Sequence, residues 1–213
     1  MTPLDDDELI AVARSVIEAD ERAVRAARDA VDEGFVRVAR LLCSNEGKVL
    51  VTGSGTSGTT AARAAHLLSV CGCPAFYVSP ADGLHGGLGA LQANDLLLAL
   101  SKGGSSDELN EFCTRAKSLC RAVVAVTAAP KSALAAIADH VIELKIDDGA
   151  DLGDVVATGS SLATAALLDA LCEVARISRD YDWRRLLFTH PSGAVGRNAA
   201  QTIERLTGLP TEE

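Results

Sequence analysis

Aromatic side chains are scarce in this 213-residue chain: four Phe, two Tyr and one Trp make up 3% of it, with a single Met. Because 48% of the residues are hydrophobic, the core has to be built from Ala, Val, Leu and Ile, and the length suits one large domain. Positive charge is also short, with 20 Lys and Arg against 29 Asp and Glu, a formal net charge of -9. The bases are scattered, so no positive face is offered to a phosphate backbone and nucleic acid is excluded as a partner. An anionic small molecule is not excluded, since a few local dipoles can meet its charge. No apolar run approaches the roughly 20 residues of a membrane span. The start, Met1 to Glu8, lacks the basic and apolar regions of a signal peptide. A membrane partner is therefore not expected, and the reading is cytoplasmic. Six cysteines (Cys43, Cys71, Cys73, Cys113, Cys120 and Cys172) sit mostly within apolar periodic segments, where free thiols act as small hydrophobes in a reducing compartment. Cys71-Gly72-Cys73 has no second pair or nearby His to complete a zinc set, so no metal is expected. No repeat, low-complexity stretch or linker divides the chain, and residues 1–213 are read as a single domain.

Within that domain, residues 1–45 carry apolar positions such as Leu9, Val12, Val16, Val24, Val31, Val38 and Leu41 at helical spacing, which predicts one long or two shorter amphipathic helices with Gly34 as the break. From residue 46 to 180, short β-branched or Leu-rich runs alternate with Ala-rich stretches, as in a parallel sheet with crossover helices. Five strands are predicted, at Lys48–Thr52, Ala75–Val78, Leu96–Leu100, Ala122–Thr127 and His140–Leu144. Helices are expected near Thr59–Val70, Ser106–Leu119 and Ser132–Ala138, and a strong one over Ser160–Arg179 after a polar loop, Lys145–Thr158. Residues 181–213 read as a C-terminal helical segment. The fold class is α/β, a three-layer αβα sandwich on a five-stranded parallel sheet with an N-terminal helical segment.

Two strand ends carry chemistry. After the first strand, Gly53-Ser54-Gly55-Thr56-Ser57-Gly58 runs into a helix, and its small residues let backbone N–H groups approach an anion while Thr and Ser hydroxyls add donors. A glycine turn that merely bends the chain would look the same. The loop lacks the Lys-Ser/Thr ending of a Walker loop, and no acidic residue follows the second strand near Val78 to hold a ribose, so a dinucleotide fits less well. After the third strand comes a second hydroxyl turn, Ser101-Lys102-Gly103-Gly104-Ser105-Ser106, followed by Asp107 and Glu108; Ser105 or Ser106 also serves as a helix cap. In an open parallel sheet both turns lie at the carboxyl ends of the strands, where ligands bind. His85 and His190 stand in glycine-flanked contexts, Leu84-His85-Gly86-Gly87 and His190-Pro191-Ser192-Gly193, where an imidazole can approach a ligand closely and exchange protons near neutral pH.

Taken in order and spacing, Gly53–Gly58, Pro80–Gly89, Ser101–Leu109 and His190–Gly196 resemble the arabinose 5-phosphate isomerase family of the SIS (sugar isomerase) fold. The resemblance runs from Gly47 to Gly196. It implies aldose-ketose interconversion of a phosphorylated sugar through an enediol, on a pentose phosphate such as arabinose 5-phosphate or ribulose 5-phosphate, with no cofactor. It places Ser57, Ser101 and Ser106 among phosphate-binding hydroxyls, with Ser54, Gly55, Thr56, Lys102 and Ser105 in the same two turns. Glu108, His85 and His190 match active-site residues, with His190 as the proton shuttle. Members often carry a regulatory CBS pair after the isomerase domain, so this sequence resembles a stand-alone form. Thr56 stands where the family has Lys, and Lys102 is the candidate to replace that charge. Asp148 lies near the position of the family's acidic segment, and Val156–Ser161 at that of its hydroxyl-rich stretch, facing sugar hydroxyls or capping a helix. Active sites built at subunit contacts imply a homodimer or homotetramer. The alternative is a non-catalytic sugar-phosphate sensor, as in SIS-containing regulators, although these carry a helix-turn-helix domain for which the roughly 45 residues before the first strand leave little room.

Overall fold

The computed structural model describes residues 3–208. Five parallel strands, β1 (Val49–Thr52), β2 (Ala75–Tyr77), β3 (Leu96–Leu100), β4 (Ala122–Thr127) and β5 (His140–Glu143), form one sheet in the order β2-β1-β3-β4-β5. Position in the sheet explains strand composition. β1, β3 and β4 are inside and covered on both faces, so every residue is buried and each reads as an unbroken apolar run. The edge strands are mixed: Phe76 and Tyr77 of β2 and His140 and Glu143 of β5 keep contact with water.

Alternation along the strands divides the interior in two. Val49, Val51, Leu96, Leu98, Leu100, Val124, Val126 and Ile142 point to one face, where α2 (Glu33–Cys43), α3 (Gly55–Val70) and α7 (Gly159–Ser178) cover them with Phe35, Val38, Leu68, Leu167 and Leu171. Leu50, Leu97, Ala99, Val123 and Ala125 point to the other, against Leu109, Phe112 and Cys113 of α5 (Asp107–Ala116) and Leu134 of α6 (Ala133–Ile137). The three-layer sandwich read from the sequence is the observed architecture. Outside it, α1 (Asp6–Ala27) lies along α7, with Ala23 and Ala27 meeting Ala163 and Ala150 so that the backbones approach closely. The chain ends in α8 (Trp183–Phe188), α9 (Gly193–Arg197) and α10 (Ala199–Thr207).

Three boundaries differ from expectation for local reasons. The N-terminal break falls before Gly34, because the Asp32 carboxylate accepts the Gly34 and Phe35 amides at 2.7 and 3.2 Å and starts α2 there. Gly34 is a packing residue: a Cβ would lie 3.0 Å from both Asp32 Oδ1 and the Val141 carbonyl. Helix α3 begins at Gly55, four residues ahead of the predicted Thr59, so the glycine turn is itself the first helical turn. The glycine-rich stretch 80–89 contains α4 (Pro80–Leu84) and a 3₁₀ turn, Gly87–Ala90, started by a Ser79 hydroxyl that accepts the Asp82 amide at 3.1 Å and by Pro80 in the first helical position. Of the six thiols, Cys73, Cys113 and Cys172 are buried and the others half-buried, all free. Burial pushes the Cys73 thiol up to about 11 and the Cys113 thiol up to about 12.

At the amino edge of the sheet, two carboxylates, the buried Asp95 and the exposed Asp139, tie strand starts together. Asp95, 1% exposed, accepts the Lys48 amide at 2.9 Å and the Gln92 amide at 2.7 Å, and also binds the Lys48 ammonium. Asp139 accepts the Val123 amide and the Lys117 ammonium, each at 2.9 Å. Burial pushes both carboxyls up, but these donors outweigh it and hold both below the ordinary value of 3.8. A group depressed in the folded state stabilises above its unfolded pKa and loses that contribution as pH falls through the folded value. Unfolding free energy from urea titrations is therefore expected to drop as pH is lowered below about 4. Asp95→Asn should flatten that slope and cost about 1–3 kcal/mol at pH 7, because the buried donors lose their charged acceptor; an unchanged slope would remove Asp95 from this role.

Candidate functional site

Between β1 and β3 the sheet order reverses. From β1 the chain leaves through α3 toward β2, whereas β3 sends it through α5 toward β4, so the two helices lie on opposite faces and a crevice opens at the carboxyl ends. Its walls are backbone in close contact: a Cβ on Gly53 would lie 2.9 Å from the Ser57 carbonyl carbon and oxygen and 3.0 Å from the Leu100 carbonyl. Tyr77 of β2 donates its hydroxyl to the Gly53 carbonyl at 3.2 Å, pinning the turn from its other side. Gly55 takes φ +56°, a conformation that suits glycine, and opens α3.

The second turn is equally constrained. Ser101 continues the sheet ladder by donating its amide to Val126 at 3.1 Å, its hydroxyl accepts the Gly104 amide at 3.1 Å, and Gly104 sits at φ +62° with Ser132 packed where a side chain would go. The Lys102 carbonyl accepts both the Ala128 amide and the Thr127 hydroxyl at 3.0 Å, so the lysine backbone is held from β4.

The crevice is lined by Ser57 and Thr60 of α3, Leu100, Ser101 and Lys102 at the end of β3, Val126 of β4, and Ala157, Ser160, Ser161 and Thr164 at the start of α7. Six hydroxyls and one ammonium thus converge in a cleft whose floor is two apolar strand ends. Helix caps follow the same geography. Asp5, Asp32, Ser79, Ser132 and Asp182 cap α1, α2, α4, α6 and α8 with side-chain hydrogen bonds. Ser54, Ser106 and Thr158, which precede α3, α5 and α7 around the crevice, make none; the C-terminal α9 and α10 also lack one. The Ser54 hydroxyl is buried without a hydrogen-bond partner. The uncapped starts of α3 and α5 and the unpartnered Ser54 hydroxyl, gathered at one edge, are suited to an oxyanion.

One residue organises the far wall. Asp151, 5% exposed, receives the Thr158 and Ser160 amides on Oδ1 at 2.9 Å each, and on Oδ2 the Ser160 hydroxyl at 2.8 Å and the Lys102 ammonium at 2.6 Å. Burial pushes this carboxyl up, but Lys102 and the Ser160 donors outweigh it and hold it below its ordinary value. The carboxylate therefore supplies the anion at the α7 N-terminus and fixes the ammonium at the crevice wall. It lies three residues beyond Asp148, in a loop with four aspartates whose roles the sequence does not separate.

Of the sequence-derived candidates, Ser57, Ser101 and Lys102 line the crevice, with Ser160 and Ser161 of the hydroxyl-rich stretch. Ser54, Gly55 and Thr56 form the turn at its rim, Ser105 and Ser106 are exposed at the start of α5, and His85 and Glu108 are exposed outside the lining. His190 follows α8, and its Nδ1 lies 2.8 Å from the Leu186 carbonyl. Because a carbonyl only accepts, Nδ1 carries the hydrogen and Nε2 remains the acceptor of the neutral ring. The three proton-transfer candidates are thus not brought together with the hydroxyls by this one chain. Thr60 and Thr164 escaped the sequence reading because both stand inside Ala-rich helical periodicity, and only the packing of α3 against α7 reveals that they share a wall with Ser101. Among the described residues, no group of three or more His, Cys, Asp or Glu is arranged to hold a metal ion, and no helix is long and apolar enough to cross a membrane.

Known proteins share this fold. The chain is 31% identical over 84% of its length to arabinose 5-phosphate isomerase KdsD of Francisella tularensis subsp. tularensis, and spans 56% of the length of that relative. Its fold superposes with a TM-score of 0.84 on E. coli CFT073 c3406, solved in complex with a sugar-phosphate ligand, at 23% identity, covering 88% of this chain and 100% of that one. It also matches the sugar isomerase domain of an RpiR transcription factor from Sphaerobacter thermophilus, with a TM-score of 0.66 and 19% identity, covering 89% of this chain and 96% of that one. The SIS domain model matches residues 42–174, which hold the whole sheet, both glycine turns and most of α7. The chain belongs to the SIS domain family.

Proposed function

We propose that the chain interconverts an aldose and a ketose phosphate at the β1/β3 crevice, acting on a pentose phosphate such as arabinose 5-phosphate or ribulose 5-phosphate. The observation that carries this reading is the convergence of Ser57, Thr60, Ser101, Ser160, Ser161 and Thr164 with the Lys102 ammonium beside uncapped helix starts. A phosphate dianion needs donors and a cation, and a sugar needs hydroxyl partners; the crevice holds both kinds. In the reaction, a base takes the proton from the hydroxyl-bearing carbon next to the carbonyl, and the electron pair forms an enediol. The proton then returns to the former carbonyl carbon as the hydroxyl proton passes between the two oxygens. His190 is the proposed shuttle through Nε2, with Glu108 and His85 assisting at the oxygens. These three lie outside the crevice lining, so the reading includes a homodimer or homotetramer in which a second copy completes the site.

A second reading is favoured by that same separation. A chain whose proton-transfer groups never join the crevice would bind sugar phosphates without converting them, as a sensor. Exchange of solvent deuterium into the carbon next to the carbonyl, followed by NMR over a panel of aldose and ketose phosphates, separates the two. Exchange with at least one sugar is expected, and His190→Ala should slow it by about 10²- to 10⁴-fold; binding without exchange would establish the sensor.

The crevice itself is tested by its wall. Lys102→Ala should weaken affinity for the phosphorylated sugar at least about tenfold, the order of one charge-assisted hydrogen bond. Asp151→Asn should lower the thermal midpoint by several degrees and weaken the same affinity, because α7 and Lys102 lose a common anchor. Calorimetric affinities equal to wild type in both variants would move the phosphate away from this wall.

A further inference from the structure

Helix α1 is a 22-residue element of which one face is accounted for by α7. A second apolar stripe has no neighbour. Ile10, Ile17 and Val24 recur every seven residues and are 49%, 67% and 40% exposed, and Val31 follows in the same spacing just beyond the helix. On a helix, residues seven apart stand nearly above one another, drifting about 20° per heptad, so these side chains form one seam. Large aliphatic groups at a seven-residue repeat on an exposed helix are what a partner helix packs against.

A parallel row of charges says which helix that is. Asp7, Arg14, Glu21 and Arg28 also recur every seven residues, beside the apolar seam, and alternate in sign. If a second α1 is laid antiparallel, with Ile17 of one chain near Ile17 of the other, then Ile10 meets Val24 and Val24 meets Ile10. In the same register Asp7 faces Arg28 and Arg14 faces Glu21, each pair occurring twice. A parallel arrangement would instead carry the two charge rows to opposite sides of the seam, where they could not pair. Residue 17 is also at the middle of α1, so the helices overlap along their full length, and the acidic first turn, Asp6, Asp7 and Glu8, lies at the partner's basic end. Within its own chain Glu21 already holds Arg25 at 2.6 Å, but both groups are about two-thirds exposed, and such surface pairs exchange partners at little cost.

We infer that α1 pairs antiparallel with α1 of a second copy of this chain across a two-fold axis at Ile17. The inference takes up the homo-oligomer of the proposed function and names its surface; it does not depend on which chemistry the crevice performs. An isologous contact of this kind is self-complementary by symmetry, and the charge row supplies that complementarity in sequence.

Sedimentation velocity on the full chain at tens of micromolar, with circular dichroism to confirm retained helix, tests it. Wild type is expected to sediment as a dimer or tetramer. Ile17→Glu should shift it to a species of half the mass or less. Arg14→Glu and Glu21→Arg should each weaken association, and the double variant should restore it, because the pair is then rebuilt in reverse. A monomeric wild type would sink the oligomer itself and assign the seam to a different chain. A wild-type oligomer unaffected by Ile17→Glu would leave the oligomer standing and overturn this surface, and failure of the double variant to recover would overturn the antiparallel register.

Discussion

The reversal of strand order between β1 and β3 is the constraint on which the remaining architecture rests. Two adjacent strands that send their chains to opposite faces leave a gap that neither following helix can close. Everything polar in the interior of the carboxyl edge follows from that gap. The apolar runs of the inner strands stop at it, the turns beyond them must be made of small residues because the backbones touch, and a third element, α7, is drawn in to form the remaining wall. The candidate site belongs to the seam between elements, and the elements themselves are ordinary in composition.

Electrostatics is arranged locally against an acidic background. A net charge of -9 gives no general attraction for a sugar phosphate. What the crevice offers is a small number of fixed donors, one ammonium held by a buried carboxylate, and two helix starts, those of α3 and α5, left without side-chain caps. The contrast between Ser79 and Ser132, whose hydroxyls cap α4 and α6, and Ser54, whose hydroxyl caps nothing at the start of α3, shows that a Ser before a helix serves two ends. Where its hydroxyl turns back to the helix it stabilises the fold, and where it does not it remains available to a ligand.

Much of the fold was legible because burial on both faces leaves a strong mark. β3 and β4 are where the Leu-Leu-Leu-Ala-Leu and Ala-Val-Val-Ala-Val-Thr runs lie, and β1, β2 and β5 end within a residue of their expected limits. Local signals without a hydrophobic period were harder. The helix at Pro80 depends on a Ser79 cap and on Gly83 nestling against the Phe112 ring, a contact across 29 positions that no local pattern encodes. The same holds for the crevice. Ser57, Ser101 and Lys102 could be picked out because glycine turns announce them, whereas Thr60, Thr164 and Asp151 owe their places to the docking of α3 and the Asp-rich loop against α7. A single sequence records which residues are small or polar; it does not record which of them share a wall.

The contacts of Gly53 and Gly58 reach further than conformational freedom. A side chain on Gly58 would press on the Gly53 carbonyl, 2.7 Å away, and on the Tyr77 hydroxyl, 2.9 Å away, and one on Gly53 would press on Ser57 and Leu100. The two glycines, an edge-strand tyrosine and the end of β3 are thus interlocked as one piece of backbone masonry. Loss of activity after substitution at either glycine would report a collapsed turn and a displaced β2, not a lost ligand contact. Tolerance to substitution at this turn is therefore governed by how the chain packs on itself.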